Sequence, residues 1–419
     1  MRRRACASPR RPEREGRGVD QTTLPAIFMR GGSSKGLFFH KRDLPIERAL
    51  WDAVFTAALG SPDSYGRQLD GMGGGISSLS KVMIIEPSAR PDCDIDYTFG
   101  QVAVDIAMVD YRSNCGNLSS AVGAFALDEG LVTAKDGPCT VRMFNTNTKK
   151  RVLCHLEARG GAAAIDGGFT IDGVAGAGSR IRLDFEDPGG AVSGRLLPTG
   201  NTIDEFALPD GRKIQGSLVD ATNPVLFVEA RALGASATEQ PSQIRANAMI
   251  MRTLEAIRGA AAVMMGLARN AEEATTSTPS SPKVAMVAAP AESRLLDGRR
   301  LPAASIDVLI RMISMGVPHN AIPLTGAMCA AVAARVPGTL VHALCRPPES
   351  AGAPVRIGHP SGVLPVDASV RIENGTARAG TATVFRTARR LMAGQLYVPR
   401  TKLKPLPPPD PLRLAQSWE

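Results

Sequence analysis

Asn114-Cys115-Gly116-Asn117 holds the residue best suited to chemistry, a thiol directly ahead of residues 118–127, a run with helical periodicity. A thiol at a helix N-terminus faces the positive end of the dipole and the unbonded first-turn amides, which suits it to act as base or nucleophile. Taken alone, a cysteine is more often an inert buried hydrophobe. The flanking glycine and two asparagines are not the neighbours such a residue needs. A second candidate is Lys81, which enters the apolar run 82–85 behind Gly71-Met72-Gly73-Gly74-Gly75. That glycine run lacks the G-x-G-x-x-G spacing of a dinucleotide fingerprint. It reads either as a hairpin loop or, with Lys81, as one wall of a substrate pocket.

Arg30-Gly31-Gly32-Ser33-Ser34-Lys35-Gly36 has the composition of a phosphate loop but not its order, because glycine rather than Ser or Thr follows the lysine. A strand follows it, so the helix N-terminus that cradles phosphate is missing. A Ser/Lys loop touching a carboxylate and a plain turn are equally open. The five histidines show no HExxH spacing and the cysteines no CxxC pair, so no metal site is expected. His319 lies just before a helical run opened by Thr325, and His359-Pro360-Ser361-Gly362 sits in a turn. Each is read as site or ordinary turn at even odds. Asp92, Asp94 and Asp96 alternate as on the wet face of a strand, in preference to metal binding.

These residues must be positioned by short apolar runs separated by Gly, Ser, Asp and Pro. Residues 37–39, 82–85, 101–109, 181–185, 225–228 and 284–288 read as strands, and 47–59, 118–127, 242–265, 304–315 and 327–336 as helices. Three stretches recur in order across the chain: Cys115 onward with Thr325 onward, Lys81-Val82 with Lys283-Val284, and Val141-Arg142 with Val355-Arg356. Shared order makes a duplicated α/β unit the preferred reading. Residues 197–223, rich in Pro, Gly and Asp, are the expected crossover, and the cleft between the copies is the natural binding site.

With 419 residues, 44% of them hydrophobic and 21% charged, the chain can bury a sizeable core, and disorder as its main state is excluded. The net charge of +9 sits mostly at the ends. Seven Arg and two Glu fall in residues 1–18, a segment without the apolar region of a secretory signal. A solvated extension is preferred there over a targeting or nucleic-acid tail. Aromatics at 4% argue against a base-stacking platform, and no apolar stretch is long enough to span a bilayer. Seven cysteines without a leader read as reduced thiols. The expected location is cytoplasmic, or the mitochondrial matrix if residues 1–18 act as a targeting segment.

Six motifs taken in order, Phe28 to Gly36, Gly60-Ser61-Pro62-Asp63, Asp70 to Gly74, Ser80-Lys81, Asn114 to Asn117 and Gly358 to Gly362, resemble the methylaconitate isomerase family. The likeness runs from about residue 24 to 399. It implies an α+β fold of two pseudo-symmetric diaminopimelate epimerase-like domains, each a β-barrel-like sheet around a central helix. They are set at residues 24–198 and 199–398, with the last strand free to pack on the first domain, a disordered basic extension at 1–23 and a Pro-rich tail at 399–419. It also implies a cofactor-independent isomerase acting on an unsaturated polycarboxylate, aconitate or 2-methylaconitate. Lys81 and Cys115 are then the acid/base pair. Ser33, Ser34, Lys35, Gly116, Asn117, His319, Thr325, Gly326, Ser361 and Gly362 are the expected substrate contacts. The epimerase relatives use two opposed cysteines, whereas the repeat position of Cys115 is Thr325, with Cys329 one turn on. One-sided proton transfer is therefore expected. The expected partner is a small polycarboxylate, with no nucleic acid, membrane or cofactor. A homodimer is left open. The rival readings are an oxalomesaconate-type keto–enol tautomerase, a non-catalytic partner of an iron–sulfur dehydratase and, weakest, nucleic-acid binding through the Arg-rich head.

Overall fold

A computed structural model describes residues 20–208, 211–350 and 353–406. The basic head up to residue 19 and residues 407–419 lie outside the described residues, and with them most of the expected extension and tail. Three residues assigned to the extension belong to the fold, because the first strand, β1 (Gln21–Gly31), begins at Gln21. It is followed by β2 (Ser34–His40), β3 (Lys81–Pro87), β4 (Ile95–Val102), the helix α1 (Gly116–Asp128), β5 (Gly137–Asn145), β6 (Lys150–Arg159) and β7 (Ile181–Glu186). The second half contributes β8 (Asp204–Ala207), β9 (Lys213–Ala221), β10 (Asn223–Glu229), α2 (Ala248–Met264), β11 (Lys283–Ala288), β12 (Val308–Ser314), α3 (Leu324–Ala333), β13 (Val355–His359) and β14 (Gly362–Glu373). The chain closes with β15 (Thr376–Arg386) and β16 (Ala388–Pro399).

The two halves repeat one topology. In the first, β2 runs parallel to β3, β3 antiparallel to β4, β4 parallel to β5 and β5 antiparallel to β6. In the second, β10, β11, β12, β13 and β14 follow the same sequence of senses. An ion pair repeats as well. Asp94 accepts the Arg142 backbone N–H at 2.7 Å and its guanidinium at 2.6 Å, and Asp307 holds Arg356 in the same way at 2.8 and 2.6 Å. Asp94 is thus a bracket between strands rather than part of a solvated edge.

The helix α1 is buried from Gly116 to Leu127 and α3 from Leu324 to Ala333. A helix apolar or small on every side can only be an interior element, and both lie within one core that spans the halves. The parallel-paired β3 is buried from Lys81 to Ile85, which accounts for its unbroken apolar run. The same physics corrects the helix expected over 304–315. That segment is β12, with all seven residues buried, and a central strand covered on both faces shows no alternation to separate it from a buried helix. The expected strand 101–109 ends at Val102, and the helix expected over 242–265 breaks at Asn247, which caps α2 by accepting the Ile250 N–H.

The expected crossover, residues 197–223, contains β8 and β9 and so belongs to the second sheet. The sheets are joined by β14. Residues 362–366 pair with β13, and Asp367–Glu373 with β15. From there β15 pairs with β7, and β16 pairs with β1 along its whole length. The C-terminal strands therefore return to the first half, carrying Arg386 toward α1.

Candidate active site

The N-termini of α1 and α3 meet at the junction of the halves. A Cβ on Gly116 would lie 3.2 Å from Thr325 Cγ2, so glycine permits this approach with little room to spare. Asn223, the buried first residue of β10, ties the two helix starts together. Its Oδ1 accepts the Asn114 N–H at 3.1 Å, and its Nδ2 donates to the Asn114 carbonyl at 3.1 Å and to Thr325 Oγ1 at 3.0 Å. Between the helix ends lies a cavity of about 30 Å³, reached by Lys81, Cys115, Asn117, Lys283 and His319. First-turn amides have no intrahelical acceptor, so two sets of N–H donors converge here.

Lys81 opens β3, and its Nζ donates to Gln101 Oε1 at 2.5 Å. The amide of Gln101 is fixed by donating to the carbonyls of Ser77 and Ser80 at 3.1 and 2.9 Å, which aims its oxygen at the lysine. Burial lowers the Lys81 pKa below the ordinary lysine value, and nearby Cys115 acts in the opposite direction. Cys115 is the N-cap of α1: its Sγ accepts the Leu118 N–H at 3.5 Å and lies 3.9 Å from Ser34 Oγ.

Lys283 opens β11 and is the repeat counterpart of Lys81. Its Nζ donates to the Ser280 carbonyl at 2.9 Å. Burial and then Lys81 depress its pKa to about 8, with Asp110 opposing. His319 Nδ1 accepts the Ala321 N–H at 3.0 Å, which leaves the proton of the neutral ring on Nε2. Burial and then Lys81 push its pKa down to about 4, so at neutral pH it is an uncharged donor. Cys329, one helical turn beyond the repeat position, donates to the Val219 carbonyl at 3.2 Å, and burial pushes its pKa up.

Of the residues expected from the sequence, Ser34, Lys81, Cys115, Gly116, Asn117, His319 and Thr325 share this cavity. Ser33 lines a neighbouring cavity of about 270 Å³. Four others line neither. Lys35 Nζ lies 5.7 Å from the Phe28 ring centroid, and Ser361 Oγ donates to the Asn320 carbonyl at 2.5 Å. Gly326 is packed on Met312, where a Cβ would lie 2.3 Å from Sδ. Gly362, at φ +150°, is packed on Asp172, where a Cβ would lie 2.1 Å from Oδ2.

The glycine run is not a wall of the cavity. Gly71 is pressed on the Gly60 turn, where a Cβ would lie 2.1 Å from the Gly60 nitrogen, and only Ser77 beyond the run reaches the site. The sequence does not single out Gln101 or Asn223, and it singles out Lys283 only as the residue aligned with Lys81 in the repeat. Among the described residues no group of three or more His, Cys, Asp or Glu is arranged to hold a metal, and no helix is long and apolar enough to cross a membrane.

Residues 21–399 match the family described as PrpF protein. The chain is 40% identical over 385 residues to the 3-methylitaconate isomerase of Eubacterium barkeri, covering 92% of this chain and 99% of that one. It is 38% identical over 391 residues to the 2-methyl-aconitate isomerase of Shewanella oneidensis, covering 91% and 98%. Among solved structures, methylitaconate-delta-isomerase superposes with a TM-score of 0.73 at 39% identity, over 92% of this chain and 98% of that one. A hydroxyproline epimerase from Agrobacterium vitis, at 12% identity and a TM-score of 0.50 over 90% and 92%, shares the fold. The paired halves are thus the epimerase-like architecture that the motifs implied, and the chain belongs to the PrpF protein family.

Proposed function

We propose that the protein is a cofactor-independent isomerase that moves a double bond, or changes its geometry, in an unsaturated polycarboxylate of the aconitate or 2-methylaconitate class. What carries this reading is the convergence of Lys81, Cys115 and two helix N-termini on one buried cavity. Shifting a double bond along such a substrate removes a proton from a carbon next to an acidifying carboxylate and returns it at the other end of the allylic system. That requires one acid and one base. Burial lowers the Lys81 pKa and so eases the release of its proton, and Cys115, on the same cavity, is the partner in the exchange. As the proton leaves, charge spreads onto carboxylate oxygens, where the first-turn amides of α1 and α3 and the ammonium of Lys283 stabilise it. Neutral His319 offers an Nε2 proton without adding charge. With Thr325 opposite Cys115 and Cys329 turned to a carbonyl, the transfer runs on one side of the substrate.

At about 30 Å³ the cavity is smaller than a six-carbon acid, so admission of substrate requires it to widen. The described cysteines are free thiols, consistent with a reducing cytoplasm. The test is a side-by-side assay of the purified protein on cis-aconitate, 2-methylaconitate, a methylitaconate and 4-oxalomesaconate. Turnover of one of the first three supports the reading. Turnover of the keto acid alone moves the assignment to tautomerisation, and turnover of none overturns it.

A further inference from the structure

We propose that Arg386, with His359 and Ser33, forms a subsite for a substrate carboxylate that takes no part in the proton transfer; this rests on the polycarboxylate reading above. Arg386 ends β15 and reaches α1 because the C-terminal strands return to the first half. It is buried, with 5% of its surface exposed, and no carboxylate among the described residues pairs with it. Its Nε donates to Asn117 Oδ1 at 3.0 Å and its Nη1 to the Phe385 carbonyl at 2.8 Å, while Nη2 has no hydrogen-bond partner among the described residues. Burying a guanidinium without a counter-ion is costly, and a bound anion is the usual compensation. Burial lowers its pKa only to about 9, so it stays charged at neutral pH.

Arg386, His359 and Ser33 line the cavity of about 270 Å³ beside the reaction cavity. The carboxamide of Asn117 stands between the two. It accepts from Arg386, donates to Ser33 Oγ at 3.2 Å and also lines the cavity of Cys115. His359 Nδ1 accepts the Ser361 N–H at 3.2 Å, which leaves its Nε2 proton free to donate, and burial keeps the ring neutral with a pKa of about 3. Asp172, which also lines this cavity, is engaged by the Val363 N–H at 2.8 Å. A substrate reaching from Cys115 past Asn117 would meet a fork-shaped cation and a neutral donor, a pairing suited to a carboxylate. The smaller cavity would hold the reacting carbons and the larger one the remote acid group, selecting tricarboxylates over dicarboxylates.

The test is calorimetric binding of propane-1,2,3-tricarboxylate and of glutarate, which lacks the central carboxylate, to the wild-type protein and to Arg386→Gln, with steady-state kinetics on cis-aconitate. The wild type should bind the tricarboxylate at least about 10-fold more tightly. Arg386→Gln should weaken that ligand by about 10- to 100-fold, the range of a charged hydrogen-bonded pair, and barely move glutarate. For cis-aconitate, KM should rise by more than kcat falls. Equal wild-type affinities for the two ligands overturn the proposal without any variant, as does a variant that loses both ligands equally or neither. Selective binding without turnover of any polycarboxylate would keep the subsite and sink the isomerase reading. Turnover without selectivity would do the reverse.

Discussion

Replacing Asn223 with alanine should cripple the site while removing only one side chain, because that carboxamide holds both helix starts. Three hydrogen bonds of 3.0 to 3.1 Å are lost, each worth about 1 kcal/mol net. The Asn114 N–H, whose residue is buried, is left without its acceptor, at a cost of about 1–3 kcal/mol. Thr325 keeps its contact with the Asn114 carbonyl at 3.4 Å, which recovers part of the loss. The expected destabilisation is therefore about 3–5 kcal/mol, a large share of the roughly 5–15 kcal/mol that holds a typical domain together. Asn114 precedes Cys115 in the chain, so release of its backbone also moves the thiol, and a displacement of about 1 Å costs on the order of 100-fold in rate. Urea denaturation followed by far-UV circular dichroism measures the first effect. The rate of polycarboxylate isomerisation, under conditions where the variant is still folded, measures the second. A variant within about 1 kcal/mol of wild type that also keeps its kcat would refute the idea that Asn223 joins and orders the two halves of the site.

Lys81→Met and Cys115→Ser should each lower kcat by at least about 100-fold, the scale of losing a positioned acid or base, with the circular dichroism spectrum unchanged. Lys283 has a pKa of about 8, so its charge is present below that pH and lost above it. KM for a polycarboxylate should accordingly rise as pH passes through about 8, and Lys283→Met should show a raised KM at pH 7 without that rise; the same step in both proteins would exclude the lysine as its source. Gly362→Ala places a methyl 2.1 Å from Asp172 Oδ2 and should destabilise the protein by about 1–3 kcal/mol through overpacking. In an Asp172→Ala background the penalty should shrink, which a double-mutant cycle of urea midpoints would detect.

Lys81 and Cys115 were legible because each announces itself locally, one as a lysine entering an apolar strand, the other as a thiol capping a small-residue helix. The repeat was legible through the order of three short matches, and its register holds down to the paired brackets Asp94–Arg142 and Asp307–Arg356. The strand β12 was not legible, since burial on both faces erases the period that distinguishes strand from helix. Gln101, Asn223 and Arg386 were hidden for another reason. Each looks like an ordinary polar residue in its own segment and gains its role from a pairing across 20 to 269 positions of sequence. Gly326, Ser361 and Gly362 show the converse. Their motifs are local and conspicuous, but the small residues serve close packing and a turn rather than the cavity itself.

Proton transfer by Lys81 and Cys115 is tested most directly by proton NMR of the isomerisation in D₂O, run with the wild-type protein, Lys81→Met and Cys115→Ser. The expected result is a rearranged polycarboxylate carrying solvent deuterium at the carbon that regains the proton, formed by the wild type and by neither variant. Isomerisation at the wild-type rate by either variant would contradict the assignment.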